Sequence, residues 1–366
     1  MTTPLAQPPA PEKVVLTVNG QEFGGWKTVA IVASTESTVT NFSLTLSEKW
    51  VEGGQPAKVI TSPVAAGGAV ELTLDGEKVM TGFVESLDRS IEDGTHQVRI
   101  GGRSKTADIS DCTVLETVNL RGTSVRQCIE TLLKPFGIQL SISPSAQNAS
   151  ARSVKDFHVK SGETVLGEIK RLCTLHALLV SDGPWGDLIL AAVGAHGDAI
   201  TLDASHDAIL GGSVSVDQQG LFSPVVIFGR SGAPTSDGGD AAALVQGRAV
   251  NGDVTRYRPM GSFSGGDERS GSATTQANSL VAQQKTRSVT ANLRLAGWRR
   301  PDGKLWWKGQ MVHLADAHLG YTGVLQIKRC ELSLSESGST VSLSLQPPEP
   351  LDPGASRDGL DDMQPD

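Results

Sequence analysis

The residues best suited to chemistry in this 366-residue chain are His313, Asp316 and His318, within HLADAHL. Two imidazoles and a carboxylate are zinc-type ligands. On a strand, however, alternation turns His313 away from His318, and no third histidine stands nearby. A solvated loop is the simpler account. His176, Ser181 and Asp182 hold the side chains of a serine-hydrolase triad. The chain has no G-x-S-x-G elbow to present the nucleophile, since Gly261-Ser-Phe-Ser-Gly265 puts Phe263 at that place. There is no phosphate-cradling loop and no dinucleotide fingerprint, and Gly238-Gly239 reads as a flexible loop. With 40 Asp and Glu residues, a carboxylate pair for glycoside hydrolysis fits anywhere and is therefore singled out nowhere. No catalytic, metal or cofactor residue is assigned.

Charge and aromatics offer a surface instead. Between Lys285 and Lys308 stand seven basic residues (Lys285, Arg287, Arg294, Arg299, Arg300, Lys304, Lys308) and one acid, Asp302. In a chain of formal net charge −8 this is a local positive patch. It could meet an acidic partner or passing nucleic acid; a solvated barrel rim explains it as well. Trp298, Trp306 and Trp307 bracket the turn Arg300–Gly303 in the same stretch. They suit core packing or a partner interface. The overall acidity argues against a general nucleic-acid or membrane-surface binder. No apolar run approaches the roughly 20 residues of a membrane span, and MTTPLAQPPAPEK lacks the basic and apolar regions of a signal peptide. Four dispersed cysteines with no Cys-x-x-Cys read as reduced, mostly buried thiols suited to a cytoplasm.

The elements that carry these residues are mostly strands. In GVLQIKRCELSLSESGSTVSLSL (323–345), two alternating runs flank a turn. With Ser337-Gly338 at its centre, Leu334 faces Val341, Leu332 faces Leu343 and Cys330 faces Leu345. The opposite parity of Leu325 and Ile327 requires a bulge near Lys328-Arg329. An earlier stretch has the same layout. Thr81-Gly82 opens a long run that turns at Glu92–Thr95, as Thr322-Gly323 opens the later one, which indicates an internal repeat. Further hairpins are expected about Asn19-Gly20 and about Asp75-Gly76, the latter pairing Leu72 with Val79. Between the two β regions, VRQCIETLLKPFG has helical spacing, with Thr123 or Ser124 as N-cap and Pro135 and Gly137 at its end. A second helix carries the stripe Val165, Leu166, Ile169, Leu172, Cys173, with Ser161 as its cap. A hairpin is expected about Asp182–Gly186. Ser231–Asp240 and Met260–Ser272 read as loops, and Ala273–Arg287 as a weakly amphipathic helix.

These elements divide the chain into a mobile arm (1–11), a first β-barrel (12–105), an α+β middle region (106–212), a second β-barrel (213–346) and an acidic, disordered tail (347–366). The fold class is mainly β with an α+β insertion: two tube-like barrels flank a mixed α/β region.

Several stretches carry a family resemblance. They are LTVNGQEFGGWKTVAIVAS with TNFSLTLSE, GTSVRQCIETLLKPFGI, FHVKSGETVLGEIKRLCTLHALLVSDG, PVVIFGR, and the closing LWWKGQMVHLADAHLGYTGVLQIKRCELSLSESGSTVSLSLQPPEP. Together, over 12–346, they resemble the baseplate hub proteins of contractile-tailed phages, the Mu-type tail hub above all. The resemblance implies a structural virion protein and not an enzyme. Three chains would form a homotrimeric ring of six similar barrels, joining the sixfold tail tube to the threefold spike. It implies a separate trimeric spike protein, tail-tube and other baseplate proteins as partners, and phage DNA passing without specific binding. It implies no cofactor and no membrane insertion, assembly in the host bacterial cytoplasm, and a place in the tail baseplate. The hub of a contractile secretion system is a related alternative. Such hubs usually carry a β-helical spike after the second barrel, which here is expected to be a separate protein. Turnover on peptidoglycan would point to a cell-wall hydrolase, and glycan binding through Trp298–Trp307 to a carbohydrate-binding β-protein.

Overall fold

The computed structural model describes residues 13–348, except 50, 53–54, 57–63, 93–94, 116–117, 155–156, 193–197, 204–208, 232–242 and 268–269. The expected arm 1–11, the tail beyond 348 and nearly all of the loop 231–240 lie outside the described residues.

Alternation sets the architecture. Thirteen strands form one curled sheet: β1 (Val14–Val18), β2 (Gln21–Phe23), β3 (Thr28–Ser34), β4 (Asn41–Lys49), β5 (Ala69–Leu74), β6 (Glu77–Glu92), β7 (Thr95–Ser104), β8 (Ile200–Asp203), β9 (Ile209–Val216), β10 (Val289–Ala296), β11 (Met311–Asp316), β12 (Tyr321–Ser335) and β13 (Gly338–Gln346). Their order is β9-β10-β13-β12-β3-β4-β7-β6-β5-β1-β2, with β11 beside β12 and β8 beside β11. Every second residue turns inward: Val29, Ile31 and Ala33 on β3, Val70, Leu72 and Leu74 on β5, Val341, Leu343 and Leu345 on β13. Each buried Val, Leu or Ile among them contributes roughly 1.5–3 kcal/mol. The chain is thus mainly β, two barrel-like units curled from one sheet, with an α+β region between them.

Turn chemistry fixes the hairpins. Asn19-Gly20 and Asp75-Gly76 take φ of 51° and 78°, and 50° and 83°, the left-handed pair that a two-residue hairpin turn demands. A bulge between Leu72 and Thr73 makes Leu72 face Met80, not Val79 as the spacing suggested. In the last hairpin Ser335 opposes Gly338, so Glu336 and Ser337 form the turn. Leu332 therefore faces Val341, and Cys330 faces Leu343, two residues away from the expected register. The positive φ of 105° falls on Gly338, just after the turn residues. A shift of two preserves every face, so the expected inward set is buried except for the half-buried Leu334. The bulge expected near Lys328-Arg329 lies between Ile327 and Arg329.

The middle region packs helices Val125–Leu133 and Val165–Leu175 on the three-stranded sheet Leu140–Ile142, Leu188–Ala192, Leu178–Asp182. Ser124 caps the first helix in a capping box with Gln127, and Gly137 ends its 3-10 extension at φ 59°. Thr164, not Ser161, caps the second, its hydroxyl accepting from Gly167 N at 3.1 Å. The whole stripe from Val165 to Cys173 is buried as its spacing required.

A third core lies inside the later β region. Ala243–Ala249, Val225–Ser231 and Met260–Asp267 form a separate sheet, covered by helix Ser270–Ser288 through Ala273, Ala277 and Val281. The expected loop 260–272 is thus a strand followed by the start of the helix. A Cβ on Gly247 would come 2.0 Å from the Ala273 carbonyl carbon, so only glycine lets sheet and helix approach this closely.

Cys128, Cys173 and Cys330 are buried, and Cys112 is exposed. Burial pushes the Cys173 thiol up to about 12, and burial with nearby Glu331 raises Cys330 further. At about pH 8 a disulfide reagent should therefore label one thiol per native chain, Cys112, and all four after unfolding. Two or more fast-reacting thiols in the native protein would contradict this packing.

Candidate assembly surface

The three parts of the chain meet at a buried joint. Lys308, in the turn before β11, and Asp182, at the end of a middle-region strand, form an ion pair with side chains only 4% and 3% exposed. Asp182 also accepts from Thr40 N at 2.9 Å, and Lys308 donates to Ser34 O at 3.3 Å. One pair thus ties the middle region to both β units. Arg299 adds a second tie, reaching Asp75 at 3.1 Å and Glu77 at 3.4 Å on the first unit's hairpin.

This dissolves the positive patch read from the sequence. Lys308 is buried rather than solvated, and Arg299 is held as above. Lys285 pairs with Asp253 at 2.9 Å and Arg300 with Asp302 at 2.5 Å. The hydrogen bond from Arg300 holds the Asp302 carboxyl below its ordinary range. Arg287, Arg294 and Lys304 remain exposed, on different elements. Trp298 and Trp306 are core residues, and Trp307 is half-buried. The Trp298 indole N–H donates to Ser333 O at 3.1 Å and Thr340 O at 3.0 Å, pinning the turn 298–306 to the last hairpin.

The chemical candidates are not assembled into sites. Asp316 accepts from His318 N at 2.7 Å and Leu319 N at 3.0 Å, shaping the β11–β12 turn, while His318 is exposed. Among the described residues no three His, Cys, Asp or Glu gather to hold a metal. Asp182 is committed to Lys308, which takes the carboxylate away from a triad with His176 and Ser181. Phe263 lies on a strand, its ring 5.5 Å from that of Phe228. Sequence reasoning missed Glu168, buried on the helix and paired with Arg171 at 2.5 Å; the i, i+3 spacing of the two was its only signal.

What the fold does build is a wall. Where β12 runs beside β3, Arg329–Leu334 opposes Ser34–Val29, joining the two units into one sheet. The face turned away from the core mixes short polar side chains with charged ones, arginines above all. One row across the strands reads Gly211, Arg294, Ser342, Glu331, Val32, Asn41, Arg103. Next to it run Ser213, Asn292, Ser344, Arg329 and Ser34. Those of them on β9, β10, β13 and β12, with Gly212, Leu293 and Leu343, line a shallow groove. Among the described residues, no helix is long and apolar enough to cross a membrane.

Comparison with known proteins gives three consecutive family matches. "Mu phage baseplate assembly protein GpP-like, N-terminal" covers residues 13–104, "Baseplate hub protein gp44-like, second domain" covers 106–192, and "Mu phage baseplate assembly protein GpP, fourth domain" covers 271–354. Baseplate hub protein gp44 of Escherichia phage Mu is 27% identical over 350 residues, 92% of this chain and 88% of that protein. The 43 kDa tail protein of prophage MuSo2 from Shewanella oneidensis shares the fold at TM-score 0.78 and 23% identity, over 94% of this chain and 99% of that one. The tail protein from Neisseria meningitidis MC58 does so at TM-score 0.75 and 20% identity, over 92% and 97%.

Proposed function

The chain belongs to the Mu-type family of phage baseplate hub proteins, and we propose that three copies of it form the ring that joins a sixfold tail tube to a threefold central spike. It is a structural component of the virion's tail baseplate and not an enzyme, as its homologues are. The observation that carries the ring is the strand path. The first β unit runs β3-β4-β7-β6-β5-β1, and the second runs β9-β10-β13-β12-β11-β8. One chain therefore supplies two units of one strand order, differing in that β8 runs parallel to β11 where β1 runs antiparallel to β5, and three chains supply the six that a tube of sixfold symmetry can rest on. Its partners are a separate trimeric spike protein on one side and tail-tube and neighbouring baseplate proteins on the other. The serines, asparagines and arginines of the non-core face suit the wall of a channel that meets the phosphate backbone of DNA without reading its bases. The ring assembles in the host cytoplasm.

Light scattering across a range of concentrations tests this reading. The expected mass is three times the chain's 38.3 kDa, reached alone or once spike protein is added. A stable monomer, or a dimer that spike protein does not convert to a trimer, would refute it.

A further inference from the structure

The long hairpins of the two β units correspond residue by residue. Val84 opposes Gly102 as Ile327 opposes Leu345, Ser86 opposes Gly101 as Arg329 opposes Ser344, and Glu92 opposes Thr95 as Ser335 opposes Gly338. Both long strands bulge at the same step, between Val84 and Ser86 and between Ile327 and Arg329. The correspondence lies two residues away from the Thr-Gly dipeptides that suggested it, and it continues outward. Phe42 sits on Gly102 as Ala291 sits on Leu345, and Ile31 sits on Phe42 as Val214 sits on Ala291. Strand β6 is therefore the counterpart of β12, and β3 the counterpart of β9.

Each long strand has a near part and a far part. In β12 the near part, Tyr321–Gln326, pairs with β11, and the far part, Arg329–Leu334, pairs with β3. In β6 the near part, Glu77–Phe83, pairs with β5. Beyond it, Ser86–Ile91 has β7 on one side and, among the described residues, no strand on the other. Likewise β3 lies between β4 and β12, whereas among the described residues β9 has only β10. Among the described residues, two of the chain's open edges are thus the counterparts of the two edges already joined inside it.

Exposure marks the same places. At the internal junction Cys330, Leu332, Ile31 and Ala33 are fully buried. At the open edges Ile91 is 73% exposed and Val216 62% exposed. Strand β9, Ile-Leu-Gly-Gly-Ser-Val-Ser-Val, has eight residues with no charge and no proline. Soluble proteins normally protect such an edge with one or the other.

We infer that the open edge of β9 in one copy adds to the far part of β6 in the next, in the register that β3 uses on β12. The pairs are Leu87 with Val216, Asp88 with Ser215, Arg89 with Val214, Ser90 with Ser213 and Ile91 with Gly212. Val216 then covers Leu87, and Gly212 leaves room for Ile91. Arg89 stands where Leu332 stands, and its aliphatic stem lies along Val214 while its charged end reaches water. The contact is head-to-tail, so each copy gives one edge and receives another, and the sheet continues from chain to chain until the ring closes. This rests on the ring proposed above and names the segments that make it.

The test is a disulfide between copies of the full chain. Directly opposed residues of antiparallel strands have Cα atoms about 4.5–5.5 Å apart, within disulfide reach. S90C and S213C are combined in a C112S background, which removes the exposed native thiol. Mild oxidation should convert most of the protein to a covalent species of ring mass, through a two-chain intermediate. Either single variant should give none. The offset pair S90C with V216C should cross-link at least tenfold less. Hydrogen exchange on the unmodified chain is the second measurement: amides of 86–91 and 209–216 should be as protected in the assembly as those of 29–34. A ring-sized assembly that fails to form the 90–213 disulfide, cross-links the offset pair equally, or leaves these amides fast would overturn the strand addition while leaving the ring intact. A protein that stays monomeric even with spike protein added would overturn both.

Discussion

Replacing Trp298 with alanine should destabilise the protein by about 3–5 kcal/mol, the range for truncating a buried aromatic residue. The side chain is fully buried and its N–H serves two carbonyls, Ser333 O and Thr340 O, on the two strands of the last hairpin. Alanine leaves a cavity and takes the donor from both strands at once. Trp298→Phe separates the two effects, since it fills much of the space but donates nothing. It should cost about 1–3 kcal/mol, the penalty for buried polar groups left unsatisfied. Urea unfolding gives the values, provided midpoint and slope are both reported. A loss below about 1 kcal/mol for the alanine variant would mean that the turn 298–306 relaxes into the space and is not held as described.

A comparable loss is expected for Lys308→Met. Removing one partner of a buried pair strands the other charge, typically at about 3–5 kcal/mol. Among the described residues, Asp182 would keep Thr40 N as its one donor. The informative comparison is Lys308→Met with Asp182→Leu. Once both charges are gone, Thr40 N still has Ser104 Oγ at 3.0 Å, and the double variant should recover most of the loss. Because the pair ties the middle region to both β units, the single variant should also loosen that region first, seen as earlier proteolysis between 106 and 192. A double variant no better than Lys308→Met would show that contacts other than charge hold the joint.

What the sequence revealed and what it withheld follow from the range of each interaction. Two-residue alternation placed Cys330, Leu332, Val341, Leu343 and Leu345 on one inward face without reference to distant parts of the chain. The helices declared themselves through their stripes, and the Lys328-Arg329 bulge through a change of parity. The register of the last hairpin failed because a glycine can sit inside a turn or just after it, and alternation is blind to a shift of two. Ser161 failed as a cap because Val165 N bonds to Cys112 O, and the helix starts where that contact fixes it. Met260–Asp267 has the composition of a loop and becomes a strand because Val225–Ser231 supplies a parallel neighbour. The joint at Lys308 and Asp182 left no trace in the sequence, since neither residue is in an unusual local setting.

The pairing of β3 with β12 has a consequence during synthesis. Val29 opposes Leu334, so a strand made at the start of translation waits for one made about 300 residues later; at roughly 5–20 residues per second this is about 15–60 s. Through that interval the first unit can fold its other strands, yet one side of β3 has no neighbour. Each ribosome on a busy message holds such a nascent chain close to others like it, with bare backbone donors and acceptors on view. The last hairpin ends the exposure only when it leaves the exit tunnel. Messages cut short before that point would yield chains whose open edge is never covered, and those truncated products are the ones the host's chaperones and proteases would have to clear.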